Sequence, residues 1–155
     1  MHARIIVLLA ALAATLPMAQ ADSTVFEIGK PDRNYNDVGM PQPSPAWLQA
    51  HPQDIKFVVG QSTPAKDFSS IHPGPADPWA GSKPHPFAIE FNLADEPAGS
   101  YELKIQLVDT HASAPPTLRI DVNGSSVEQS LGTGTGDPTL VRPEAGKPRS
   151  LRFLL

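Results

Sequence analysis

The sequence predicts an all-β fold, an antiparallel β-sandwich of the jelly-roll kind. Three observations carry this. Apolar residues alternate with polar ones in three successive runs between Pro86 and Leu131, which puts one face of each strand on a core and the other in water. An Asn123-Gly124 pair closes the third run, and Asn-Gly is the strongest short hairpin signal. Eighteen prolines and eleven glycines punctuate the chain without making it low-complexity, as rigid loops between many short strands require.

Met1 to Ala21 is expected to lie outside the fold. His2 and Arg4 precede an apolar run from Ile5 to Leu16, Pro17 breaks it, and Ala19-Gln20-Ala21 offers a small-x-small cleavage site. This is the pattern of a secretory signal peptide cut near Ala21, and it predicts a secreted protein, periplasmic or extracellular. The run is short for a bilayer, and no later segment is apolar enough to span one. The domain is then residues 22–155. Losing Arg4 leaves 11 Lys and Arg against 16 Asp and Glu, a net charge of −5. Scattered cations on an acidic chain argue against nucleic acid as a partner. There is no cysteine, which excludes disulfides, thiolate catalysis and Cys-ligated metal.

Val25, Phe26 and Ile28 predict a short first strand ended by Gly29, and Lys30 to Gln42 reads as loop. Ser44 to Ala50 predicts a turn or two of helix, with Ser44 as N-cap, Pro45 at the first helical position and Pro52 forbidding continuation. Ile55 to Val59 is a second strand, closed by Gly60. Gln61 to Pro86 carries six prolines and no strand period; connections of that length are uncommon in compact domains and are usually functional or disordered. Phe68, Ile71 and Trp79 are expected to pin it to the core.

The alternating runs come next: Phe87 to Leu93, a turn at Pro97-Ala98-Gly99, Tyr101 to Leu107, and Leu118 to Val122 after Pro115-Pro116. Val127 to Leu131 returns from the hairpin. Gly132-Thr133-Gly134-Thr135-Gly136 lacks the Lys and the strand-to-helix context of a phosphate loop and reads as a flexible hairpin-end loop. Leu151, Phe153 and Leu155 predict a last strand. With no closing turn after it, the sandwich is expected to be truncated at the C-terminus.

Chemistry-bearing residues gather in two places, His72, Asp77 and Trp79 in the long loop, and Asp109 and His111 at a strand end. His and Asp suit divalent cations, but no tight ligand spacing is present, and loop residues of these types commonly cap turns. Calcium has no Asp-x-Asp-x-Asp pattern to support it, so no cofactor is expected. No Gly-x-Ser-x-Gly elbow marks a hydrolase. Trp47, Trp79, Tyr35 and Tyr101 have flat faces suited to stacking on sugar rings. Tyr101, in register with Leu103, is expected inside; Trp79 is either a core anchor or a binding platform, with anchor favoured.

The run Val25-Phe26-Glu27-Ile28-Gly29-Lys30-Pro31-Asp32, then Phe57-Val58-Val59-Gly60-Gln61-Ser62, Asp67, His72-Pro73-Gly74-Pro75-Ala76-Asp77 and Trp79-Ala80-Gly81, resembles bacterial polysaccharide lyases of the rhamnogalacturonan-lyase type. Leu107-Val108-Asp109-Thr110-His111 and Ile120-Asp121-Val122-Asn123-Gly124 extend the likeness. The resemblance is to their jelly-roll, carbohydrate-binding-module-like domain and covers nearly all of residues 22–155. It implies plant cell-wall pectin as partner and β-elimination as the family's reaction, which needs a base beside a uronate and a cation for the developing charge. In the family those groups lie in a separate, preceding domain, so no catalytic residue is carried over. Two readings compete. One is a non-catalytic carbohydrate-binding module, with His72, Asp77, Trp79, Asp109 and His111 as candidate sugar contacts. The other is a rhamnogalacturonan lyase whose site in the 61–86 loop uses His72, Asp77, Asp109 and His111.

Overall fold

The computed structural model describes residues 23–39, 46–95 and 99–155. The expected signal peptide, the Ser44 cap with Pro45, and Pro97-Ala98 of the predicted turn lie outside the described residues. Within them the chain is all-β, with six short strands forming three two-stranded sheets, and short helical turns confined to the connections.

The first regular element is α1 (Ala46–Ala50). It ends where predicted, because Pro52 bars a continuing helix. Its Trp47 is 1% exposed, and Ile55, Phe57, Ala80 and Phe153 are the other buried apolar side chains among the described residues. Strand β1 (Ile55–Val58) turns Ile55 and Phe57 inward and Lys56 outward, where Lys56 pairs with Glu90 at 2.8 Å.

Strand β1 pairs with β2 (Phe87–Glu90), Ile55 opposite Phe87 and Phe57 opposite Ile89, and the pair is parallel. This departs from the wholly antiparallel sheet expected. It also explains the long Pro-rich segment, because parallel neighbours need a crossover of a dozen or more residues. The crossover is structured: it contains α2 (Pro64–Asp67) and a 3-10 turn, Pro78–Ala80.

The other pairs are antiparallel. Strand β3 (Glu102–Leu107) pairs along its whole length with β6 (Arg149–Leu154), so Leu103 faces Phe153 and Ile105 faces Leu151. The predicted last strand thus has its partner earlier in the chain, and the Leu155 amide continues the ladder to the Tyr101 carbonyl at 2.8 Å. Strands β4 (Thr117–Val122) and β5 (Ser125–Ser130) form the predicted hairpin. Asn123 and Gly124 both take positive φ, 49° and 89°, as the two central residues of a type I′ turn do. Residues of β5 are exposed throughout, so this hairpin projects as a ribbon.

The expected first strand at Val25 to Ile28 does not form. Alternation marks which side chains are apolar, but a strand also needs a neighbouring edge to bond with, and none reaches this segment among the described residues. Phe26 packs instead against Phe91, ring centroids 5.0 Å apart. That contact lies just past the end of β2, which stops at Glu90 rather than Leu93 because β1 has run out beside it.

Candidate functional site

The crossover places His72, Asp77 and Trp79 in two aromatic clusters. Asp77 Oδ1 accepts the Trp79 amide at 2.9 Å and so caps the 3-10 turn, with Pro78 at its first position and a left-handed Gly81 closing it. Trp79 is half-buried, its ring tilted against Trp47 with centroids 5.7 Å apart. His51 stacks on Trp47 and His85 meets it edge-on. Trp47 Nε1 donates to Ser69 Oγ at 3.2 Å, and that hydroxyl also bonds both polar groups of Ile71. Ser69 is 1% exposed, and its buried hydroxyl is fully satisfied. Trp47 and Ser69 are the residues that hold the crossover down. Their polar pairing, 22 positions apart, left no mark in the sequence.

His72 belongs to the second cluster. Its ring stacks on Phe87, centroids 3.7 Å apart and 15° between planes. Its Nε2 sits 3.1 Å from the Ser69 carbonyl, which can only accept, so Nε2 carries the proton. The residue keeps exposed surface, yet its ring is densely surrounded by protein. Desolvation pushes the imidazole down to about 4, outweighing the carbonyl's opposite effect. The ring is therefore neutral at pH 7.

Asp109 and His111 lie past the end of β3 and are not hydrogen-bonded to the crossover group. Asp109 organises the segment between β5 and β6. Its carboxylate accepts the amides of Thr135 at 3.0 Å, Gly136 at 2.7 Å and Lys147 at 3.1 Å, and the Thr139 hydroxyl at 3.2 Å. Desolvation works to raise its pKa, but the backbone donors together prevail and hold the carboxyl below the usual range. The glycines here answer to close approach rather than flexibility. A Cβ on Gly134 would be driven into the Thr110 carbonyl and the Asp109 carboxylate. The predicted flexible loop is therefore a wrap around one anion. His111 Nδ1 accepts the amides of Ser113 at 3.1 Å and Ala114 at 2.8 Å, fixing its proton on Nε2 when neutral.

The Asp109 wrap builds one wall of a cleft of about 560 Å3 whose other wall is the segment Asp32 to Asn36. Leu140, Val141, Pro143 and Glu144 come from the wrapped side. Tyr35 ties the walls together, its hydroxyl directed to the carbonyls of Thr139 and Leu140. Burial, and then the negative charge of Glu144, raise the phenol's pKa, so it stays a donor. The facing loop is stapled by its own side chains: Asp32 accepts the Asn34 amide, and Asn34 accepts those of Tyr35 and Asn36. Only the Asp-x-Asn spacing of that staple was visible in sequence.

Among the described residues no group of three His, Asp or Glu side chains could hold a metal ion, and no helix is long and apolar enough to cross a membrane. Residues 24–150 match the family described as CBM-like, polysaccharide lyase family 4, domain III. The chain belongs to this family. The match agrees with the resemblance read from the Val25–Asp32, Phe57–Ser62 and Ile120–Gly124 runs, and with an all-β, carbohydrate-binding-module-like sandwich. No curated protein matches the chain, and no solved structure does. As domain III of polysaccharide lyase family 4, the chain is a carbohydrate-binding-like module.

Proposed function

We propose that this CBM-like domain is a secreted, non-catalytic module that binds pectic polysaccharide of the plant cell wall, rhamnogalacturonan foremost, without a metal cofactor. The family match over residues 24–150 carries the reading. Two of the four candidate bases of the lyase reading are already engaged: three amides and a hydroxyl bond the Asp109 carboxylate, and two amides bond His111 Nδ1, the acceptor nitrogen of that ring. A β-elimination base needs a free lone pair within reach of a sugar C–H. In this reading Trp79 and the His111 strand end offer sugar contacts, and Asp109 positions the surface beside them.

Affinity electrophoresis through gels holding rhamnogalacturonan, homogalacturonan or galactan tests the proposal. Retardation by a pectic polymer, unchanged by chelator, is expected, with no ultraviolet absorbance from unsaturated uronate. Absence of retardation on all three refutes it; a rising absorbance replaces it with the lyase reading. Trp79→Ala separates platform from anchor, since a platform loses binding while the melt is kept.

A further inference from the structure

The cleft beside Asp109 continues into a second lobe of about 310 Å3, the two sharing Arg33, Asn34, Val108 and Pro148. The charged side chains lining this lobe are Lys30, Arg33 and Arg149, with no carboxylate among them. On a chain with an acidic balance, this is a local reversal of sign. None of the three enters an ion pair among the described residues, whereas Lys56, Arg119 and Arg152 all do. Arg149 is held in place by a 3.1 Å bond from one terminal nitrogen to the Thr133 carbonyl, and its Nε is buried without a partner. The bond to Thr133 uses one of the five N–H donors of the guanidinium.

Arg33 points the same way. It stands at φ 65°, a left-handed conformation unfavourable for a side chain of this kind. The Asp32 and Asn34 staples on either side hold it there. Glycine would suit that backbone better, so the presence of arginine needs another explanation, and a ligand for its guanidinium supplies one. The larger lobe, by contrast, carries Asp32 and Glu144.

We propose that the Lys30–Arg33–Arg149 lobe binds the carboxylate of an acidic sugar, while the larger lobe, with Tyr35 and Glu144, takes a neutral neighbouring residue through its hydroxyls. This rests on the glycan-binding reading and narrows it to uronate-bearing polymers. Guanidinium and ammonium groups match a carboxylate by charge and donor geometry. The acidic rim of the larger lobe disfavours a second anion beside it.

The test compares polygalacturonate, its methyl-esterified form and neutral galactan by affinity electrophoresis of the whole chain, at low and raised salt. Polygalacturonate is expected to retard most, esterification and salt to weaken it. Arg33→Gly and Lys30→Gln should each weaken binding about tenfold, the scale of one charge-assisted contact. Arg33→Gly should melt no lower than the parent, because glycine relieves the positive φ, which separates lost binding from lost fold. Equal retardation by esterified and free polymer, or full binding by both variants, overturns the proposal. Retention on galactan alone removes the carboxylate site and leaves the module reading standing, while retention on none removes both.

Discussion

Replacing Asp109 by asparagine should unfasten the segment from Gly132 to Pro148. The native carboxylate offers only acceptors, and four donors converge on it: the amides of Thr135, Gly136 and Lys147 and the Thr139 hydroxyl. Asparagine keeps one oxygen and presents an NH2 in place of the other. If the NH2 takes the Oδ2 position it meets the Gly136 amide across 2.7 Å; in the Oδ1 position it meets the Lys147 amide across 3.1 Å. The second is the milder arrangement and still sets donor against donor. One charge-assisted bond is lost, worth ~1.5–3 kcal/mol, and the others weaken with the charge. Asp109 is only half-buried, so water replaces part of this. A net cost of ~2 kcal/mol is expected, a substantial share of a typical margin of ~5–15 kcal/mol. Urea titration should show the lowered midpoint at unchanged slope, and hydrogen exchange should quicken at the Gly136 and Lys147 amides. The wild-type carboxyl is held below its ordinary value of 3.8. Its contribution is therefore complete above that pH and is lost as pH falls through the depressed value. The asparagine variant should lack that part of the acid-side decline. A stability within ~0.5 kcal/mol of the parent, the scale of an ordinary surface change, with unaltered exchange, would refute the view of Asp109 as the organising anion.

Trp47→Phe should cost ~2–3 kcal/mol by urea titration, combining a cavity with loss of the Ser69 partner, and Trp47→Ala ~3–5; a neutral Trp47→Phe would mean that the buried pair is incidental. Since the folded His72 ring titrates lower than an unfolded one, at about 4 against 6.5, its contribution is full above the unfolded value. It declines as pH falls through that window and levels off below it. His72→Phe, which keeps the stack on Phe87, should therefore lose less stability than the parent between about pH 7 and about pH 5, as midpoints at the two pH values would show. Gly134→Ala should disturb the Asp109 wrap, seen as a lower melting temperature and faster exchange at Thr135; an unchanged melt would mean that the loop can yield there. Gly124→Val should destabilise the hairpin by ~1–2 kcal/mol, because a β-branched residue opposes positive φ, read as a thermal shift with the β4 and β5 amides exchanging first.

The sequence alone determined what depends on neighbours along the chain. The strand faces of β3 and β4 come from period-2 alternation, a property of the pleat itself. The Asn123-Gly124 hairpin comes from two residues able to take positive φ, and the end of α1 from Pro52, which bars a helix locally. Family membership was also legible, because ordered runs such as Ile120 to Gly124 are linear features. What the tertiary structure decided depends on partners distant in sequence. Whether Val25 to Ile28 became a strand turned on a neighbouring edge that alternation cannot report. The parallel pairing of β1 with β2 turned the long Pro-rich stretch into an obligatory crossover, and α2 and the Asp77-capped turn gave it structure. Asp109 reads in sequence as a candidate sugar ligand, and His111 beside it has the same look. Only folding brings Thr135, Gly136, Thr139 and Lys147 around that carboxylate, because a charge with several lone pairs gathers whichever amides the fold leaves free. The cleft needed the same long-range closure, since Lys30 and Arg33 stand more than a hundred residues from Arg149 in the chain, and no local pattern records that the three line one lobe.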